Sequence, residues 1–188
     1  MLPTGDFTPR SHGHEVLFYS DDAVYVETAT NFLIAALSGG GAAIAFATKR
    51  NRDVLYQGLK LQDIDIDAAV EQGAFISLDA AELLSTFMVN GWPDDVRFFA
   101  AFRNVIGLAS AALKRTTARI AVFGEAAALL CDQGNIEAAI RVEQLGNHLG
   151  KKYHVDILCA YPLEFCDTNP QNQIKRICAQ HSAIRSRL

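Results

Sequence analysis

Apolar positions follow two rhythms along this chain. Continuous apolar runs, EVLFY (15–19), AAIAFA (42–47), AFISL (74–78), RIAVF (119–123) and VDILCA (155–160), suit short strands, and a run without polar alternation suits a strand covered on both faces. Between them apolar residues recur at helical spacing. The pattern predicts helices over 22–37, 51–60, 65–71, 80–89, 94–114, 126–131 and 135–149, with a last helix from Pro170. Val26, Ala29, Phe32, Leu33, Ala36 and Leu37 share one face of the first helix. Strands that alternate with helices pair in parallel through crossover connections. The predicted fold is therefore α/β, a three-layer sandwich whose mostly parallel central sheet has about five or more strands. No repeat, low-complexity stretch or linker interrupts residues 1–188, which read as a single domain.

The stretch LSGGGAAIAFATKRN (37–51) looks at first like a phosphate cradle. A phosphate loop follows a strand and opens a helix. Here the glycines follow a helix and precede a strand, so they read as a helix stop and a turn. Asp79 to Glu82 fits a capping box, and Thr168 to Pro170 fits an N-cap with proline at the first helical position. Asn90 to Asp95, NGWPDD, reads as a break between helices. In the last helix Ile174, Ile177, Cys178 and Ile184 form a predicted packing stripe, with Lys175, Arg176, Arg185 and Arg187 solvated.

Composition narrows the function classes. Half of the 188 residues are apolar and the formal net charge is −4, so the chain is globular and lacks the basic excess of a nucleic-acid binder. No apolar stretch reaches the roughly 20 residues of a membrane span, and residues 1–10 lack the apolar core of a secretory signal. Cys131, Cys159, Cys166 and Cys178 form no C-x-x-C pair and read as reduced thiols of a cytoplasmic protein. His12 and His14 are assigned to an entry segment rather than to a metal site. No Walker A pattern, nucleophile elbow, zinc-type H-E-x-x-H or dinucleotide fingerprint occurs; GNHLGKK (146–152) is a near miss that ends a helix. The sequence thus predicts no catalysis, no metal and no cofactor.

The candidate chemistry lies at strand ends and on one helix. Parallel sheets collect ligands at the carboxyl ends of their strands. Those ends carry Tyr19 to Asp22, Thr48 to Arg50, Asp79, Gly124 and Glu125, and Tyr161. On a helical wheel of 135–149, Ile136, Ala138, Ala139, Ile140, Val142, Leu145, Gly146 and Leu149 share a broad face. Glu143 and Asn147 fall on that apolar side, one turn apart. A buried carboxylate needs partners, so the pair marks either a polar lock or the lining of a ligand pocket with Glu125, Tyr19 and Tyr161.

HEVLFYSDD (14–22), IAVFGEAAALL (120–130), RVEQLGNHL (141–149), ILCAYP (157–162) and the late His181 together resemble the MEDS domain, a sensory module named for methanogens, methylotrophs and the DcmR regulator. The resemblance covers about 14–182. It implies a divergent relative of the KaiC/RecA-type ATPases, with FYSDD standing where those carry a phosphate loop. It implies a non-catalytic sensor of small hydrocarbon derivatives or similar metabolites that signals to an output such as a kinase or transcription regulator. It leaves a homo-oligomer open. Glu125, Glu143 and Asn147 match the family's GE and E-x-x-x-N motifs, while His14, Cys159 and His181 are read as structural or signalling residues. Ser20 departs from the charged residue usual after the first tyrosine. Two other readings stay open: a degenerate nucleotide-binding protein, and an interaction module that needs no ligand.

Overall fold

The structure is a computed structural model that describes residues 13–166 and 170–185. The N-cap read at Thr168, together with His12 and Arg187, lies outside the described residues. In chain order the elements are β1 (His14–Tyr19), α1 (Asp22–Ser38), β2 (Ala42–Ala47), α2 (Lys49–Lys60), α3 (Ile66–Glu71), β3 (Phe75–Asp79), α4 (Ala80–Phe87), β4 (Met88–Val89), β5 (Trp92–Pro93), α5 (Asp95–Ala111), β6 (Ile120–Gly124), α6 (Ala126–Asp132), α7 (Ile136–Tyr153), β7 (Asp156–Pro162), α8 (Pro170–Cys178) and β8 (Ala183–Arg185). Six strands form one sheet in the order β3-β2-β6-β7-β1-β8, parallel throughout.

Strand alternation divides the interior into two cores. Val16, Phe18, Ile44, Phe46, Val122 and Tyr161 face α4, α5, α6, α7 and α8. Leu17, Tyr19, Ala45, Phe123 and Leu158 face α1, α2 and α3. These two interlayer cores, with the sheet between them, make the three-layer sandwich that the pattern predicts.

The glycine stretch is the predicted turn. The amides of Gly39, Gly40 and Gly41 all donate to carbonyls at the end of α1, so none is free for an anion. Gly40 has φ 74, and a Cβ on Gly41 would stand 2.1 Å from the Arg119 carbonyl oxygen. Asp79 caps α4 by accepting from the amides of Ala81 and Glu82.

Two expectations are corrected. The helix read to residue 89 stops at Phe87, and MVNGWP folds as a two-stranded hairpin, β4 with β5, across Asn90 (φ 50) and Gly91 (φ 78). An Asn-Gly pair supplies the left-handed corner that such a hairpin needs. The C-terminal helix ends at Cys178, and Ala183–Arg185 joins the sheet edge beside β1. Ile177 is fully buried as expected, but Ile184 sits on β8 and is 55% exposed, outside any helical stripe. Arg185 there pairs with Glu15.

Gly41→Ala should lower unfolding free energy by at least about 1–3 kcal/mol, because backbone atoms on both sides cannot yield. Gly107, exposed within α5 with open space at its Cβ position, should gain stability on conversion to alanine, by up to about 1 kcal/mol. Urea unfolding of the two variants checks the opposite signs.

Candidate functional site

The polar residues singled out in the sequence settle into two centres on opposite faces of the sheet. They do not line one shared pocket. Tyr19 and the partners of Glu125 lie on the α1 side, whereas Glu143, Asn147 and Tyr161 lie on the α7 side. The physical reason is parity: neighbouring residues of a strand point to opposite faces.

The first centre is built around Glu125, at the carboxyl end of β6. Its Oε1 accepts from the Tyr25 hydroxyl at 2.5 Å and from Asn51 Nδ2 at 2.7 Å, and its Oε2 accepts from the Thr48 amide at 2.9 Å. Tyr25 comes from α1, while Thr48 caps α2 and Asn51 lies in its first turn. Glu125 thereby ties β6 to both helices of that layer. Beside it lies an open pocket of about 190 Å³, lined by Tyr19, Asp22, Thr48, Arg50, Asn51, Glu125 and Glu164, among others. This is the strand-end edge that the sequence points to, but without Tyr161, which is fully buried in the other core. Burial and the Glu125 carboxylate push both Tyr19 and Tyr25 above the usual tyrosine range, so both stay neutral and Tyr25 donates to Glu125.

The second centre is built around Glu143, whose side chain is 1% exposed on the inner face of α7. Its Oε1 accepts from the Tyr161 hydroxyl. Its Oε2 meets His14 Nε2 at 3.1 Å, Cys159 Sγ at 3.3 Å and His181 Nε2 at 3.3 Å. Asn147, one turn along the helix, joins the same group: its Oδ1 meets His14 Nδ1 at 3.1 Å and its Nδ2 donates to the Gln180 carbonyl at 2.7 Å. Gly146 leaves room for the His14 ring, since a Cβ there would stand 3.2 Å from His14 Cε1. His14 is thus a buried residue of β1, correcting the expectation that it belongs to an entry segment.

Burial pushes the Glu143 carboxyl up, but His181 and His14 more than reverse this and hold it well below the usual carboxylate range. Burial pulls His181 down; the facing carboxylate and the Ile177 carbonyl outweigh it and leave its value raised. His14, Glu143, Cys159 and His181 also form a group able to hold a metal ion, with ligand atoms all within 4.8 Å of one another. Composition and motif spacing point away from a metal; this convergence of three elements and the segment after α8 does not show in sequence spacing.

A cavity of about 50 Å³ opens beside this centre between the sheet and α4 to α7. Phe46, Phe98, Phe102 and Leu149 supply apolar wall, and His14, Glu143 and Cys159 supply its polar end. The residues that sequence reasoning missed are Tyr25 and Asn51. Both lie within a turn of a named strand end, and only the fold turns them toward Glu125.

Fold and geometry together define a class: a parallel α/β domain with a polar centre buried in each of its two cores. A family model described as "MEDS: MEthanogen/methylotroph, DcmR Sensory domain" matches residues 13–182, and the chain belongs to that family of sensory domains. No curated protein matches the chain.

Burial is the main reason that the Glu125 carboxyl lies above its ordinary value of 4.5; the hydrogen bonds from Tyr25, Thr48 and Asn51 offset it only in part. A carboxyl raised on folding contributes most below its unfolded value and loses that contribution as pH rises through the folded one. Wild-type protein should therefore lose stability relative to Glu125→Gln as pH rises from about 4 to 7. Urea unfolding across that range checks the sign, and a wild type that gains on the variant contradicts it.

Proposed function

We propose that this sensory domain binds a small, weakly polar molecule in the cavity beside Glu143 and relays its presence to a regulatory partner without catalysis. The observation that carries this reading is the cavity's size and make-up. An apolar cavity of about 150 Å³ admits benzene, whereas one water needs only about 10–15 Å³ of space that a water-sized sphere occupies. A space of about 50 Å³ suits a molecule of about two or three non-hydrogen atoms. Its single polar end suits one polar substituent, such as a hydroxyl, carbonyl or halogen. A small hydrocarbon derivative, the ligand class that the sequence resemblance implies, meets both conditions.

The route to a partner runs through the C-terminal segment. His181, the Gln180 carbonyl and Ser182 bond to Glu143, Asn147 and His14 respectively. A ligand that displaces these groups shifts α8 and β8, where an output protein such as a kinase or transcription regulator would receive the change. Support for the nucleotide alternative is weak. Asp21 accepts from the Ala23 amide at the start of α1, and three carboxylates, Asp22, Glu125 and Glu164, against Arg50 line the strand-end pocket where a triphosphate would meet them.

The test is a thermal-shift panel of alcohols, aldehydes and haloalkanes of up to three carbons, with xenon as a purely apolar probe and Mg-ATP as a counter-probe. At least one small compound should raise the melting temperature saturably, and Mg-ATP should not. A Cβ at Gly124, on the cavity wall, meets nothing within 4 Å. Gly124→Val should therefore fill the space and abolish the shift while the protein stays folded. Equal shifts in wild type and variant, or no shift with any compound, contradict the reading.

A further inference from the structure

We propose that His14, Glu143, Cys159 and His181 form a tetrahedral site for one divalent metal ion of the zinc class. The inference starts from where the protons are. The Gln180 carbonyl can only accept, so the Asn147 amide nitrogen points at it and Asn147 Oδ1 faces His14. His14 must therefore carry its proton on Nδ1, which leaves a lone pair on Nε2. His181 is fixed in the same way: its Nδ1 donates to the Ile177 carbonyl at 2.7 Å, leaving a lone pair on Nε2. Both Nε2 atoms lie within 3.3 Å of Glu143 Oε2, itself an acceptor, and among the described residues only the single Cys159 S–H lies between them. Among the described residues His181 Nε2 is buried with no aligned hydrogen-bond partner, although Glu143 Oε2 lies 3.3 Å away. With both imidazoles neutral, four acceptor atoms thus face one another with one proton between them. A cation is needed there, either as extra protons on the histidines or as a metal.

Geometry and charge favour the metal. Ligands of a tetrahedral zinc ion, with bonds of about 2.0–2.3 Å, stand about 3.3–3.8 Å from each other. Four of the six ligand pairs here measure 3.1 Å (His14 Nε2 to Glu143 Oε2) and 3.3 Å (His14 Nε2 to Cys159 Sγ, Cys159 Sγ to Glu143 Oε2, and His181 Nε2 to Glu143 Oε2), at or just below the short end of that range, and all six lie within 4.8 Å. On binding, the Cys159 thiol releases its proton to solvent, and the thiolate and carboxylate together balance the dication. The result is an electrically neutral buried centre. Two imidazoles, a thiolate and a carboxylate form a donor set suited to zinc rather than to calcium or magnesium. The outer contacts follow the usual arrangement around a metal: Asn147 on His14, the Ile177 carbonyl on His181, and Tyr161 on the second Glu143 oxygen. The site would tie β1, α7, β7 and the segment after α8 through one atom.

This inference does not depend on the cavity taking a ligand, and its test uses no small molecule. The full chain is stripped with a chelator and titrated with Co²⁺, then with Zn²⁺. One equivalent of Co²⁺ should give the intense visible bands of four-coordinate cobalt and a near-ultraviolet thiolate charge-transfer band. Zn²⁺ should displace it, and metal uptake should release a proton. Cys159→Ser should lose the charge-transfer band, and Asn147→Leu should weaken Zn²⁺ binding about 10- to 100-fold. Gly124→Val, which blocks the cavity, should keep the cobalt spectrum. A pale six-coordinate spectrum, or a charge-transfer band that survives Cys159→Ser, overturns the proposal. If the variants fail to fold, the wild-type titration decides alone: a stoichiometric four-coordinate spectrum with the thiolate band supports the site, and its absence refutes it.

Discussion

A carboxylate buried between a sheet and a helix is the constraint around which one half of this domain is arranged. Glu143 sits on α7 where the apolar face would otherwise continue, and removing its charge from water is costly unless partners surround it. Those partners come from β1, β7 and the C-terminal segment. The demand for partners explains several features at once: a histidine at the start of the first strand, a cysteine and a tyrosine two residues apart on β7, a glycine on α7 beneath the His14 ring, and a C-terminal segment that returns to the sheet edge.

The opposite face has its own carboxylate with a different task. Glu125 gathers donors from the start of α2 and from α1, and it opens onto solvent through the strand-end pocket. One centre borders a small, largely apolar cavity and the other a larger, more polar cleft. This division bears on function. The cleft is lined by three carboxylates, Asp22, Glu125 and Glu164, against Arg50. The cavity beside Glu143 is small and largely apolar, which suits a sensory domain for a small molecule.

Much of this was legible in the sequence. The strand runs place five of the six sheet strands to within two residues, because strands buried on both faces are continuously apolar. The wheel of 135–149 puts Glu143 and Asn147 on the inner side, as found. What the sequence could not convey is which face of the sheet each strand residue addresses. With apolar residues on both faces, parity alone does not say that Tyr19 and Tyr161 part company. The hairpin at Asn90–Gly91 was readable, since Asn-Gly is a strong turn signal, but two-residue strands are too short to show a pattern. β8 hides for the same reason, and its exposed Ile184 mimics a helical stripe. The meeting of His14 and His181, with ring centroids 4.2 Å apart, joins the two ends of the described chain. No spacing rule reports such a contact.

The central claim is that Glu143 holds the C-terminal segment in place, so that whatever happens at this centre is felt there. Hydrogen exchange tests it most directly, by comparing Glu143→Gln with wild type amide by amide. The Ser182 amide, bonded to the His14 carbonyl, and the β8 amides paired with β1 should exchange much faster in the variant. The β2–β3 pairing on the far side of the sheet should keep its protection. Unchanged protection at Ser182 and β8, or an equal loss across both regions, would contradict the account.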